Sequence, residues 1–164
     1  MWNNRNYPNF ESLFNRKPRA VARVRGSEQH PNIEGEVWFY QTNYGVLVVA
    51  DIEGLPNPTE TCKSPVFAFH IHQGKSCTGD NQDPFADAGA HYNPNECQHP
   101  YHAGDLPPLF GANGYAFSVV LSNRFKLNEV IGRTIIIHSN PDDFTTQPSG
   151  NSGGRIACGI IESI

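Results

Sequence analysis

From Ala20 onward, apolar and polar residues alternate along much of the chain with a period of two, as they do in strands that bury one face. Ala20, Ala22 and Val24 fall on one side of the first run and Arg23 and Arg25 on the other, before a turn at Gly26. Glu34 to Thr42 sets Glu, Glu, Trp and Tyr against Val and Phe, which predicts a half-buried antiparallel strand. Asn43-Tyr44-Gly45 predicts a turn, and Val46 to Ile52 predicts the returning strand. Pro56-Asn57-Pro58 opens an excursion that carries Cys62. Pro65 to His72 predicts a strand with Val66, Ala68, His70 and His72 on one face and Phe67, Phe69 and Ile71 on the other. Leu106 to Phe110 and Tyr115 to Leu121 flank Ala112-Asn113-Gly114, which predicts a hairpin because Asn-Gly accepts positive φ. Ile131 to His138 and Arg155 to Ile161 complete the set.

Between these runs, residues 73 to 104 and 139 to 154 show almost no apolar period and predict two long loops. A loop of that length in a compact domain is usually functional or disordered. Cysteines and histidines in the first loop argue for order imposed by metal and disulfide. Seven or eight short strands with two such loops predict an all-β fold, an antiparallel sandwich or flattened barrel, over residues 19 to 164. Residues 1 to 18 have no clear period and predict a loosely held N-terminal arm, with at most one helical turn near Glu11-Ser12-Leu13-Phe14. Docking of that arm on the body or on a second subunit is the alternative.

Composition agrees with many turns: 15 glycines and 13 prolines accompany a hydrophobic content of 38%. A net charge of -4 argues against nucleic acid, which calls for a basic face. No apolar run approaches the ~18 residues of a membrane span. The stretch Met1-Trp2-Asn3-Asn4-Arg5-Asn6 lacks an apolar signal core, so a cytoplasmic location is expected, or export if a signal was trimmed.

The chemistry sits in the histidines. Five of the seven lie between Phe67 and Asp105, namely His70, His72, His91, His99 and His102, and His138 ends a later apolar run. Imidazole coordinates metals near neutral pH at little cost in charge. His70 and His72, two apart on a strand, point the same way and can reach one ion. His99, His102 and Asp105 follow at successive steps of three, which fits a turn around a small ion. Nitrogen ligands with one carboxylate suit tetrahedral zinc, and an all-imidazole group of His70, His72 and His138 with one more suits copper. Four cysteines, Cys62, Cys77, Cys97 and Cys158, match no zinc-finger spacing and permit three pairings.

The segments FAFHIHQGKSC, AGAHYNP, HAGDLPPL, EVIGRTIIIHSNPDD and GNSGGRIACGII, in that order, resemble the bacterial type of copper/zinc superoxide dismutase over roughly residues 19 to 162. The resemblance implies a Greek-key sandwich or flattened barrel of about eight strands and conversion of superoxide to dioxygen and hydrogen peroxide. It further implies that His70, His72, His91 and His138 bind copper and that His91, His99, His102 and Asp105 bind zinc. His91 would be shared between the ions and would take up a proton when copper is reduced. Asp142 would link a copper histidine to a zinc histidine, and Arg155 would attract and position superoxide. Read alone, Asp142 is also a turn former after Pro141, and Arg155 a solvated charge opening a strand. Cys77 and Cys158 would form the family's disulfide. Cys62 and Cys97 have no counterparts there, and a second bridge between them is expected, with two free thiols as the alternative.

Two features depart from the family pattern. Only Pro100 and Tyr101 separate His99 from His102, where relatives have a longer segment. Such a loop can close on zinc with all four ligands or leave one histidine outside, and the sequence does not choose. The loop after His138 has no Lys or Glu beyond Asp143, which predicts a more open copper and weaker dependence on ionic strength. A non-catalytic copper carrier on the same fold is the competing reading, disfavoured because a carrier needs neither a bridging imidazole nor Arg155. The resemblance leaves a homodimer open, with no stretch of sequence marking an interface.

Overall fold

A computed structural model describes residues 17–60 and 65–164. Its strands are β1 (Ala20–Gly26), β2 (Glu34–Thr42), β3 (Gly45–Glu53), β4 (Val66–His72), β5 (Asp105–Phe110), β6 (Ala116–Ser122), β7 (Thr134–His138) and β8 (Arg155–Ser163). They are joined in the order β5-β4-β7-β8-β1-β2-β3-β6, and every pairing is antiparallel. The sheet curls until its end strands β5 and β6 approach one another, giving the flattened, nearly closed barrel expected from the alternation.

The alternation works as read. Ala20, Ala22 and Val24 are fully buried, whereas Arg23 and Arg25 face out and pair with Glu36, Glu162 and Glu34 on the neighbouring strands. The core inside the barrel gathers Val37, Phe39, Val48, Ile52, Phe69 and Ile71 with Leu109, Ile135, Ile137 and Ile161. Strand β4 is buried on both faces. Phe67, Phe69 and Ile71 enter this core, so His70 and His72 point outward, beneath the two long loops. A smaller apolar cluster lies outside the barrel, where Phe85 and Ala88 of the first loop pack on Ile136, Cys158 and Cys77.

Two expectations are corrected. The Asn113-Gly114 turn forms, with φ of 54° and 83°, but the strands it joins do not pair as a hairpin: β5 and β6 lie at opposite ends of the sheet. Turn chemistry fixes the local reversal, and β6 finds its partner in β3 instead. The strand expected from Ile131 begins only at Thr134, because a short helix α1 (Leu127–Val130) and a turn at Gly132, with φ of 77°, occupy the residues before it.

The Cys77–Cys158 disulfide is present, with Cα atoms 5.7 Å apart and a sequence separation of 81. The expected Cys62–Cys97 bridge falls on Cys62, outside the described residues, and Cys97 itself carries a free, exposed thiol. The expected arm of residues 1 to 18 falls almost wholly outside them as well. Among the described residues no helix is long and apolar enough to cross a membrane.

Candidate metal centre

Strand register assembles the site. On β4, His70 lies opposite Asp105 of β5, and on β7, His138 lies opposite Arg155 of β8. An isolated bridge pairs His72 with His91, which brings the first loop back over the barrel wall. The result is two groups of side chains whose donor atoms lie within 4.8 Å of one another: His70, His72, His91 and His138, and His91, His99, His102 and Asp105. All are buried, and His91 belongs to both. The short loop therefore closes with both of its histidines in the second group.

The ring nitrogens divide cleanly. His70 offers Nδ1 to the first group, and its Nε2 donates to Asp142 Oδ2 at 2.8 Å. His72 Nδ1 donates to the Gly89 carbonyl at 2.8 Å, leaving Nε2 to face His138 Nε2 at 3.2 Å. His91 turns Nδ1 to the second group, 2.7 Å from Asp105 Oδ1, and Nε2 to the first. His99 and His102 bring Nδ1 to 3.0 and 3.2 Å from Asp105 Oδ2. Among the described residues, His70 Nδ1 and His91 Nε2 are fully buried without a hydrogen-bond partner, and His99 Nδ1, though 3.0 Å from Asp105 Oδ2, makes no hydrogen bond of sound geometry. Orphaned buried nitrogens are costly unless something else takes up their lone pairs, and metal ions at the centre of each group would do so. The donor sets fit copper in the all-imidazole group and zinc in the group that contains the carboxylate.

Burial lowers the pKa of His72 far below the ordinary imidazole value and that of His138 to about 3, with neighbouring histidines adding to the effect. The same cause lowers His70 and His102. These rings are therefore neutral and able to ligate at neutral pH. Burial by itself would push Asp142 up. Hydrogen bonds from His70, the Phe144 N–H and His99 outweigh it and hold the carboxylate well below its usual range. Asp142 Oδ1 receives the His99 Nε2 proton at 2.8 Å, so this carboxylate spans both groups. Gly150 packs so closely on the Asp142–His99 pair that a side chain there would collide with it.

These features coincide with a family match. The model of the copper/zinc superoxide dismutase family matches residues 33–161. The chain belongs to the copper/zinc superoxide dismutase family. It is 37% identical over 136 residues to the copper/zinc superoxide dismutase of Legionella pneumophila, covering 78% of this chain and 77% of that one. It is 35% identical over 142 residues to that of Photobacterium leiognathi, covering 78% of each. The structure of the Brucella abortus copper/zinc superoxide dismutase superposes with a TM-score of 0.73 at 28% identity, covering 87% of this chain and 99% of that one.

Within this superoxide dismutase-like barrel a cleft of about 870 Å³ opens above the first group, walled by His72, His91, His138, Arg155, Asp83 and His30. The external apolar cluster and the disulfide fix the loop carbonyls that aim Arg155: Nη1 donates to Phe85 O at 2.9 Å and Nη2 to Gly89 O at 2.7 Å. Gly89 O thus serves both Arg155 and His72. Sequence reasoning missed Asp83, whose Oδ2 accepts from Arg155 Nη1 at 2.8 Å. It also missed His30, hydrogen-bonded through Nδ1 to Ser27 Oγ at 3.2 Å. No residue pattern flagged either one: His30 lies between β1 and β2, and Asp83 in the part of the first loop that falls between the resembling segments.

Proposed function

We propose that His70, His72, His91 and His138 hold copper, that His91, His99, His102 and Asp105 hold zinc, and that Arg155 guides superoxide to the first site. Family membership carries the activity itself: the chain is an oxidoreductase that converts superoxide to dioxygen and hydrogen peroxide with copper and zinc as cofactors. The observation that carries the division of roles is the placement of one imidazole, His91, with Nδ1 in one group and Nε2 in the other.

When bound, copper supplies the one-electron chemistry, oxidising one superoxide and reducing the next. Arg155, held by two carbonyls and the Asp83 carboxylate and partly exposed at the cleft, binds and orients the anion. Among the described residues Nε2 of His91 has no hydrogen-bond partner, so it is the atom that can take a proton and pass it to the reduced oxygen species on its way to hydrogen peroxide. Nδ1 on the other side would hold zinc together with Asp105 and His102, which keeps the ring in place as that proton moves. Asp142 fixes the tautomers of His70 and His99, so that each keeps a lone pair on its ion-facing Nδ1. A non-catalytic copper carrier is not favoured, because it would have no use for Arg155. The exposed Phe110, Phe117 and Leu121 of the barrel's end strands support a homodimer.

The test is superoxide consumption by protein loaded with both metals, followed by pulse radiolysis. Activity is expected in the native chain, with a loss of at least about a hundredfold in His138→Ala. Full turnover in His138→Ala would sink the copper assignment.

A further inference from the structure

We propose that Arg124 and Gln147 are positioning residues that hold the short His99–Asp105 loop in its zinc-binding shape from outside, before an ion arrives. The inference rests on the reading of His91, His99, His102 and Asp105 as a zinc set.

Three of the four residues in that set sit in one short stretch with little regular structure. Its own backbone bonds are few: Tyr101 N–H to Gln98 O at 2.8 Å, Asp105 N–H to His102 O at 3.2 Å and Gly104 N–H to Tyr92 O at 2.8 Å. The His102 N–H also donates to Asp105 Oδ2 at 3.0 Å and the Ile71 N–H to Gly104 O at 2.9 Å, and two side chains from elsewhere add to these. Gln147, from the loop after β7, pairs with both main-chain groups of His99, whose N–H donates to Oε1 at 2.9 Å while Nε2 donates to His99 O at 2.7 Å. One planar carboxamide thus takes the place of a strand neighbour. Arg124, from the turn between β6 and α1, aims a single nitrogen, Nη1, at three carbonyls: Pro100 at 3.0 Å, Asp105 at 3.2 Å and His102 at 3.4 Å. A guanidinium cannot lose its charge under physiological conditions, so this anchor is permanent.

Both clamps act on the backbone rather than on the donor atoms, so neither needs an ion in order to form. Their effect is to fix where His99 and His102 start from. A loop that became ordered only on binding would subtract its ordering cost from the affinity for zinc. This arrangement bears on the question posed by the sequence, where only two residues separate the histidines and both must still reach one ion. Neither clamp hydrogen-bonds to His70, His72 or His138, so the copper group should not register their loss.

The experiment titrates metal-free protein with zinc, and separately with copper, against a chromophoric chelator, and records thermal unfolding of the same metal-free samples. Arg124→Met and Gln147→Ala are each expected to weaken zinc about tenfold, as loss of an outer partner of a metal site does, with copper affinity within about twofold of native. Arg124→Lys, which keeps the charge and donors, should recover most of the loss. Native zinc affinity in both Arg124→Met and Gln147→Ala would overturn the proposal, whether or not their metal-free melting temperatures fell. Equal losses of zinc and copper would overturn it too, since the clamps would then be general supports. If Arg124→Met fails to fold, Gln147→Ala decides alone. A native chain that takes up no zinc would defeat the zinc reading first and the clamps with it, an outcome distinct from an unchanged variant.

Discussion

Removing the carboxylate of Asp142 tests the site most directly, because one side chain serves both groups. Asp142 is buried, and its oxygens receive the Nε2 protons of His70 and His99 at 2.8 Å each. In Asp142→Ala both imidazoles lose the acceptor that keeps the proton on Nε2, and either ring can move its proton to the ion-facing Nδ1, where it blocks coordination. Losing an outer partner of this kind costs ~10- to 100-fold in metal affinity, or about 1.4 to 2.7 kcal/mol. The two groups should not suffer alike. His70 lies within β4, laddered to β5 and β7, whereas His99 lies on a loop and depends on side chains for its placement. Zinc should therefore weaken by the larger factor and copper by the smaller. Competition titrations of the metal-free variant against chelators of graded strength measure both. Unchanged zinc affinity, or a greater loss for copper than for zinc, would refute the argument that Asp142 sets the ring tautomers.

Asp83→Asn should raise kcat/KM for superoxide about two- to fivefold at low salt. Arg155 keeps its Phe85 and Gly89 anchors while a competing negative charge leaves the cleft wall, and the gain should shrink near ~0.15 M, where the screening length is ~8 Å. A fall in rate would mean instead that the carboxylate is needed to aim Arg155. For the metal-free protein, thermal stability should decline as pH falls from about 6.5 toward about 3. His138 stays neutral in the fold down to a pKa of about 3, while in the unfolded chain it binds its proton near the ordinary imidazole value, so acid favours unfolding across that window. His70, His72 and His102 shift in the same direction and add to the slope. Calorimetry of metal-free protein between pH 7.5 and 4.5 would show a melting temperature that falls with pH, and a flat or rising trend would contradict the neutral state of these rings.

What could be read from the chain follows from which contacts leave a trace in residue type. Alternation on β1, β2 and β4 exposed the barrel wall, and the spacing of His70 and His72 gave their shared outward face, because period two is a property of the strand itself. That His138 joins them depends on β7 lying beside β4, a long-range pairing that local pattern does not encode; ligand chemistry offered His138 as a partner, and the family resemblance supplied the complete set. The misread hairpin has the same cause. Asn113-Gly114 specifies a reversal, yet the partners of β5 and β6 are chosen by barrel closure. Least legible were Arg124, Gln147 and the anchors of Arg155, whose contacts run to main-chain oxygens. Every residue has a carbonyl, so such a contact marks only one of its two ends, and an Arg or Gln on a loop looks solvated until the fold brings it home. A metal loop can therefore shorten without any visible change among its ligands, provided that side chains elsewhere take over the bracing of its backbone.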